Sequence, residues 1–367
     1  MQDRDIHTLP ETTLSEAGYI VRYSGITALD RYYRRAAGSV IDIETDADLI
    51  ALSTLFDDIE FPGEERIDAL LEFGDECQYA IRIIDSEDDH ASPLPPFRFY
   101  YYPARRIFLD SDDSYRMIRN RESLESSQVR QIFAGSSSWH TIGDIAEAAA
   151  RYDWAMIPSG HRDGSKTLLG SREQRKILQR LLESPFPGRG LAILMDTGFV
   201  HAHWPLLAAM QGIAQDKDFH PEGDVWNHTL EMYRYLKVPD REIAMGILLH
   251  DCGKAFSQKQ NNNEFDRHSQ IGADRGIRFL QGLGFPEEYV SHVRYLVTNH
   301  MLPAHIAEIP HRSIETVLSD PLFPKLLELY RCDISSSFRD PEGYYRACES
   351  YRRFKKLRRN PYRIKPV

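Results

Sequence analysis

Several things are missing from this chain. No apolar run approaches the roughly 20 residues needed to cross a bilayer as a helix. None of the four cysteines (Cys77, Cys252, Cys332, Cys348) forms a Cys-x-x-Cys pair, which removes the usual signature of a zinc–thiolate knuckle or a disulfide framework. The start, Met1 to Asp5, lacks the basic and then apolar stretch of a signal peptide. A cytoplasmic protein with no membrane partner is the expectation. Internal repeats and long low-complexity segments are also absent. So is any overall basic excess, since the net charge is −10, which argues against a uniformly basic nucleic-acid binder. The exception is local. Tyr351 to Val367 carries eight Lys or Arg and no acid, as either a solvated tail or a contact for a phosphate backbone.

The chain has 367 residues, of which 42% are hydrophobic and 27% charged. That is a globular composition in a chain too long for one ordinary core, so two or three domains are expected. Residues 17–110 mix β-prone runs with helical ones. Strands are predicted at Gly18–Ser24, Ser39–Thr45, Ala80–Ile84 and Phe97–Tyr102, with helices near Ala28–Ala37 and Asp46–Phe56. From about residue 127 the pattern turns helical, at Asp144–Tyr152, Arg172–Leu182 and Arg189–Met210, and it runs on to about residue 350. Turns are expected at Ser184–Gly190, at Asp216–Gly223 and around Asn261. Asp224 reads as a helix N-cap.

Six residues in the helical half stand out: His228, His250, Asp251, His268, His300 and Asp333. Ile243, Ile247 and His250 share a helical stripe, and Ala244, Leu248 and Asp251 share the next. Tyr289, Val293, Leu296 and His300 step by four, three and four, as do Leu322, Leu326, Leu329 and Asp333. Metal-capable groups thus occupy positions where core residues belong. A lone histidine on such a face is usually a hydrogen-bonded core residue. Six in order are more economically satisfied by a shared cation, because each unsatisfied buried polar group costs roughly 1–3 kcal/mol. Imidazole and carboxylate without thiolate suit Mg, Mn, Ni, Fe, Co or Zn, as one or two ions. Lys254, about one turn after His250-Asp251, is placed to meet a phosphate oxygen, with Arg267 as a possible helper.

The ordered series His228, His250-Asp251-Cys252-Gly253-Lys254, His268, His300, Asp333 resembles the HD superfamily of metal-dependent phosphohydrolases. That resemblance implies four ligands for one metal (His228, His250, Asp251, Asp333), with His268 and His300 completing a second site or touching phosphate. It also implies hydrolysis of a nucleotide or RNA-end phosphoester, with Asp251, Lys254 and His268 as catalytic residues.

Phe219–Leu230 and Leu181–Phe199 further resemble the helical part of bacterial CCA-adding tRNA nucleotidyltransferases and related poly(A) polymerase family members. The fold implied is α+β: a small N-terminal nucleotidyltransferase-like mixed sheet with helices, then a mostly helical neck and an all-α HD domain. The corresponding ranges are head 1–126, neck 127–215, HD domain 216–345 and basic tail 346–367. The head departs from the family. Its glycine pair is reduced to Gly25, and Val40 stands where the first of two carboxylates belongs, with Asp42 in the second place. Leu94–Tyr102 replaces an Arg-Arg-Asp-Phe-Thr-Ile-Asn motif. Two-metal phosphoryl transfer needs converging carboxylates, so a phosphohydrolase with a silent head is expected. The alternatives are a tRNA CCA-adding enzyme using Asp42 and Glu44 in an altered head site, or a non-catalytic RNA-binding protein. The implied partner throughout is a nucleotide or RNA, tRNA included.

Overall fold

The structure is a computed structural model describing residues 9–36, 38–73, 77–86, 99–110, 138–152, 167–215, 223–258, 265 and 267–358. Residues 94–98 and 219–222, the loop around Asn261 and the basic tail beyond residue 358 lie outside the described residues. The chain divides into two compact units, Met1–Ser184 with Asp196–Phe199, and Pro185–Met195 with Val200–Val367. The division after Ser184 falls within the stretch expected to form a neck.

The first unit is built on a seven-stranded mixed sheet in the order β3-β4-β5-β2-β1-β6-β7. Its strands are β1 (Val21–Ser24), β2 (Val40–Thr45), β3 (Ile59–Glu60), β4 (Ala69–Phe73), β5 (Cys77–Ile83), β6 (Phe99–Tyr102) and β7 (Ile107–Asp110). Among the described strands only β2 and β5 run parallel, from Val40 opposite Gln78 to Thr45 opposite Ile83. The central strands are rich in β-branched and aromatic residues, which suit a pleated, largely buried surface. Val40, Ile67, Leu70 and Ala80 form one buried cluster. α1 (Pro10–Glu16) is tied to the sheet where the Tyr23 hydroxyl donates to Glu11 Oε1 at 2.6 Å.

At the end of β1 the chain passes straight into α2 (Gly25–Tyr33). Gly25 has φ +52°, a left-handed conformation that costs glycine little and lets the strand turn into the helix without a loop. Asp48 caps α3 (Leu49–Leu55) by accepting from Ala51 N at 2.7 Å. Two longer helices stand among the unit's described residues, α4 (Trp139–Tyr152) and α5 (Ser171–Leu182). Each buries an apolar stripe, Ile142, Ile145 and Ala149 on one, Ile177, Leu178 and Leu181 on the other. Arg151 on α4 grips Asp30 of α2 through two hydrogen bonds of 3.0 and 2.7 Å.

The described part of the second unit is helical: α6 (Pro187–Asp196), α7 (Phe199–His203), α8 (Pro205–Ala208), α9 (Val225–Met232), α10 (Arg241–Leu249), α11 (His268–Gly282), α12 (Glu287–Asn299), α13 (Leu302–His305), α14 (Glu315–Ser319), α15 (Phe323–Ser335) and α16 (Glu342–Arg358). α6 and α7 straddle the unit boundary, each leaving its edge residues in the first unit. Asp224 is an N-cap as read, accepting from Asn227 N at 2.8 Å, and Asp240 caps α10 in the same way. The core is a fully buried set on α10, α12 and α15 that includes Ile247, Leu248, Leu296, Leu326 and Leu329. No described helix is long and apolar enough to cross a membrane. The α+β fold class read from the sequence is the one found.

Candidate functional site

The six residues singled out in the helical half converge in the second unit. His228 lies within α9 and Asp333 within α15, while His268 opens α11. The expectation that His250-Asp251 and His300 lie inside helices is not met. α10 ends at Leu249 and α12 at Asn299, leaving His250 and His300 as C-caps and Asp251 at the start of a 3-10 turn, Cys252–Phe256. Ending the helix there frees Asp251 to turn toward three histidines. All six residues are at most 9% exposed.

Hydrogen bonds fix the histidines. Nδ1 of His250 lies 2.8 Å from Ile247 O, that of His268 lies 3.0 Å from Phe265 O and that of His300 lies 2.8 Å from Val297 O. A carbonyl only accepts, so each Nδ1 carries the proton and each Nε2 presents a lone pair. Those lone pairs point inward. His268 Nε2 and His300 Nε2 are 3.2 Å apart, and His250 Nε2 is buried without a hydrogen-bond partner. Two facing lone pairs and an orphaned one are costly unless a cation lies among them. Asp251 supplies negative charge, with Oδ2 3.2 Å from His250 Nε2 and Oδ1 3.4 and 3.7 Å from the Nε2 atoms of His268 and His300. Asp333 Oδ1 is 3.1 Å from His228 Nε2.

Burial opposes charge on Asp251, yet positive charge beside it, with Lys254 in direct contact, holds its carboxyl well below the usual range. Burial also pulls His300 down to about 4, against the attraction of Asp251, so this imidazole is neutral and free to ligate at ordinary pH. The ligand atoms of His228, His250 and Asp251 all lie within 4.8 Å of one another, as do those of Asp251, His268 and His300. These residues fit a divalent metal ion, with Asp251 common to both groups. Lys254 does not reach outward to a phosphate. Its Nζ is 2.5 Å from Asp251 Oδ2 and 2.7 Å from Gln215 Oε1. Arg267 lies next to His268, with a positive φ of 51°.

The 3-10 turn is pressed against α11 at Gly253. A Cβ there would strike the His268 carbonyl oxygen and stand 2.5 Å from Gly272 N. Gly253→Ala is therefore expected to force the turn and α11 apart, at about 3 kcal/mol. Thermal melting reads this directly, and an unchanged midpoint would contradict the close packing.

The first unit holds a pocket of about 40 Å³ where β1 passes into α2, and Asp42, Glu44, Arg66, Arg82, Lys176 and Arg180 help to line it. Asp42 and Glu44 face different fates. Arg22, fully buried on β1, donates to Glu44 at 2.7 Å. Asp42 meets Arg180 at 2.8 Å and Lys176 at 3.4 Å. Burial works against its charge, but Arg180 and Lys176 win and hold the carboxyl below its ordinary value. Asp42 and Glu44 were legible in the sequence but Lys176 and Arg180 were not, because α5 lies more than 130 residues away.

Arg180 is shared with Glu147 on α4, at 3.2 Å. Burial outweighs Arg180 there and pushes Glu147 up to about 7. The folded state then keeps a proton that the unfolded state, with an ordinary value of 4.5, releases. This stabilisation is complete below about pH 4.5 and is lost as pH rises through 7. It is worth on the order of 3 kcal/mol. The difference in melting temperature between Glu147→Gln and the unaltered protein should therefore change across pH 5–8. Parallel profiles would overturn the assignment.

No protein-family model matches the chain. Among curated proteins, a "Multifunctional CCA protein" of Xanthomonas campestris pv. campestris is 28% identical over 201 residues, 54% of this chain and 45% of the relative. A "CC-adding tRNA nucleotidyltransferase" of Thermus thermophilus is 33% identical over 143 residues, 36% of this chain and 32% of the relative. The chain spans about half the length, or less, of these relatives. Among solved structures, the CCA-adding enzyme of Bacillus stearothermophilus in complex with CTP shares the fold, with a TM-score of 0.51 at 15% identity over 94% of this chain and 80% of that one. These findings overturn the expectation of a phosphohydrolase of the HD superfamily. One relative is named a CC-adding tRNA nucleotidyltransferase and the other a multifunctional CCA protein, neither a phosphohydrolase, and Lys254, cast as a phosphate ligand, lies against Asp251 and Gln215. In sequence and in fold, the chain resembles the CCA-adding tRNA nucleotidyltransferases.

Proposed function

We propose that the protein is an enzyme of the tRNA nucleotidyltransferase type, taking a nucleotide in the pocket of the first unit and acting on the 3′ end of tRNA. The observation that carries this reading is Asp42, a carboxylate on β2 beside the β1–α2 turn, in a chain with one relative named a multifunctional CCA protein and another a CC-adding tRNA nucleotidyltransferase. Val40 is buried in the apolar cluster of the sheet and Glu44 is held by Arg22, so Asp42 is the carboxylate that sets the charge of the pocket and holds its cations in place. Lys176 and Arg180, already beside it, supply cations for phosphate oxygens. In this reading residues 1–126 serve as the head, 127–215 as the neck, 216–345 as an HD-type domain and 346–367 as a basic tail toward RNA.

The HD-type domain would hold a divalent ion through His228, His250, Asp251 and Asp333, with His268 and His300 completing a second group around Asp251. A bound cation supplies charge compensation for buried lone pairs and carboxylates. Through them α9, α10, α11, α12 and α15 are joined at one point.

The test is incorporation of labelled CTP or ATP into tRNA that lacks its terminal CCA. Mg²⁺-dependent incorporation is expected, falling about 100-fold or more in Asp42→Asn. No incorporation by the unaltered protein at any Mg²⁺ concentration would sink the proposal. One observation favours a second reading, an RNA-binding protein without transfer: both candidate carboxylates are already ion-paired. Binding of tRNA without incorporation is the outcome that selects it.

A further inference from the structure

We infer that the pocket of the first unit binds a phosphate oxyanion through protein cations alone, without a divalent metal. The inference deepens the nucleotidyltransferase reading and rests on it for the source of that phosphate.

Each carboxylate lining the pocket already has a cationic partner. Glu44 is held by Arg22 at 2.7 Å, Asp144 by Arg66 at 2.7 Å, and Asp42 by Arg180 and Lys176. A divalent ion approaching this surface meets neutralised acids, and it would have to displace a guanidinium to gain a ligand.

Donors are left over instead. Arg82 on β5 lines the pocket, half-buried, and has no ion-pair partner among the described residues. Arg66 has a side chain only 10% exposed, and its Nε lies buried without a hydrogen-bond partner. An orphaned guanidinium donor in a nine-tenths-buried side chain costs stability unless an acceptor comes to it. Lys176 touches Asp42 at only 3.4 Å and can turn to a second anion without breaking the Arg180 contact.

The size fits one group. At roughly 10–15 Å³ for each water, a volume of about 40 Å³ has room for about three, close to one tetrahedral oxyanion. Guanidinium groups offer paired donors to such an anion in a fixed planar geometry. The phosphate comes from a nucleotide or from the end of an RNA, and both present the same tetrahedral anion.

The experiment uses the full chain, metal-loaded in its second unit, in buffer stripped of Mg²⁺ by chelating resin. Calorimetric titration is run with inorganic phosphate, with CTP, and with a short RNA with or without a terminal phosphate. Saturable binding of phosphate without Mg²⁺ is expected, weakened tenfold or more in Arg82→Ala and partly restored in Arg82→Lys. Competition by CTP assigns the phosphate to a nucleotide. Competition only by the phosphorylated RNA assigns it to an RNA end. Binding that appears only when Mg²⁺ is added overturns the inference, as does an unchanged affinity in Arg82→Ala protein with an unaltered melting profile. CTP bound without Mg²⁺ but never incorporated into tRNA sinks the transferase reading and leaves this inference standing. Incorporation with no metal-free binding does the reverse.

Discussion

Asp251→Ala protein should purify with far less divalent ion than the unaltered protein. Asp251 is the one residue common to both ligand groups, and its two oxygens face different histidines. Removing it leaves the inward lone pairs of His250, His268 and His300 with no anion between them. Half of the negative charge in the six-residue set goes with it. Elemental analysis should find metal content falling at least tenfold, whereas His305→Ala, an exposed histidine on α13, should keep it. Because the ion binds only the folded state, its removal also lowers stability. A site held at about 1,000 times its dissociation constant contributes about 4 kcal/mol. Stripping the unaltered protein with a chelator should therefore lower its melting temperature clearly, and Asp251→Ala protein should not respond. Full metal content in Asp251→Ala would remove these residues from consideration as a metal centre.

The six candidates were visible in the sequence because buried helical positions carry a signal. Polar groups that recur every three or four residues among leucines and valines call for a shared explanation. What the spacing could not give was where the helices stop. His250 and His300 end theirs, and that local choice is what turns Asp251 inward. Strands β1, β2, β5 and β6 were legible from their β-branched and aromatic runs. β4, Ala69–Phe73, was not: Ala, Leu, Leu and Glu are good helix formers, and only its place between β3 and β5 makes it a strand. The head pocket was half legible. Asp42 and Glu44 share a strand and stood out together. Arg22, Arg66, Arg82, Lys176 and Arg180 come from separate elements, with no local pattern to mark them. A missing carboxylate at Val40 therefore read as loss, whereas the structure adds cations where acids would have been unpaired.

Arg180→Met should be among the most destabilising single substitutions in the first unit. The Arg180 guanidinium is nearly buried and serves four groups at once: Asp42 at 2.8 Å, Glu147 at 3.2 Å, the carbonyl of Val40 at 3.1 Å and the Thr27 hydroxyl at 3.4 Å. Methionine keeps much of the side-chain volume, so the loss is electrostatic and not a cavity. Breaking a buried ion pair by removing one partner costs about 3–5 kcal/mol, because the remaining charge stays buried and uncompensated. Here two carboxylates are left, and only Asp42 has a second cation, Lys176, in contact with it. Glu147 then bears the greater part of the penalty. The effect should depend on pH: Glu147 already holds a proton in acid, so Arg180→Met should cost less at pH 5 than at pH 8. Glu147→Gln in the Arg180→Met background should recover part of the loss, about 1–2 kcal/mol, although Glu147→Gln alone recovers nothing of that kind. Such non-additivity is expected of residues in direct contact. Denaturant unfolding of the two single variants and the double variant completes the cycle. Strict additivity, or a loss equal at both pH values, would show that Arg180 stabilises this unit by packing and not by holding two carboxylates together.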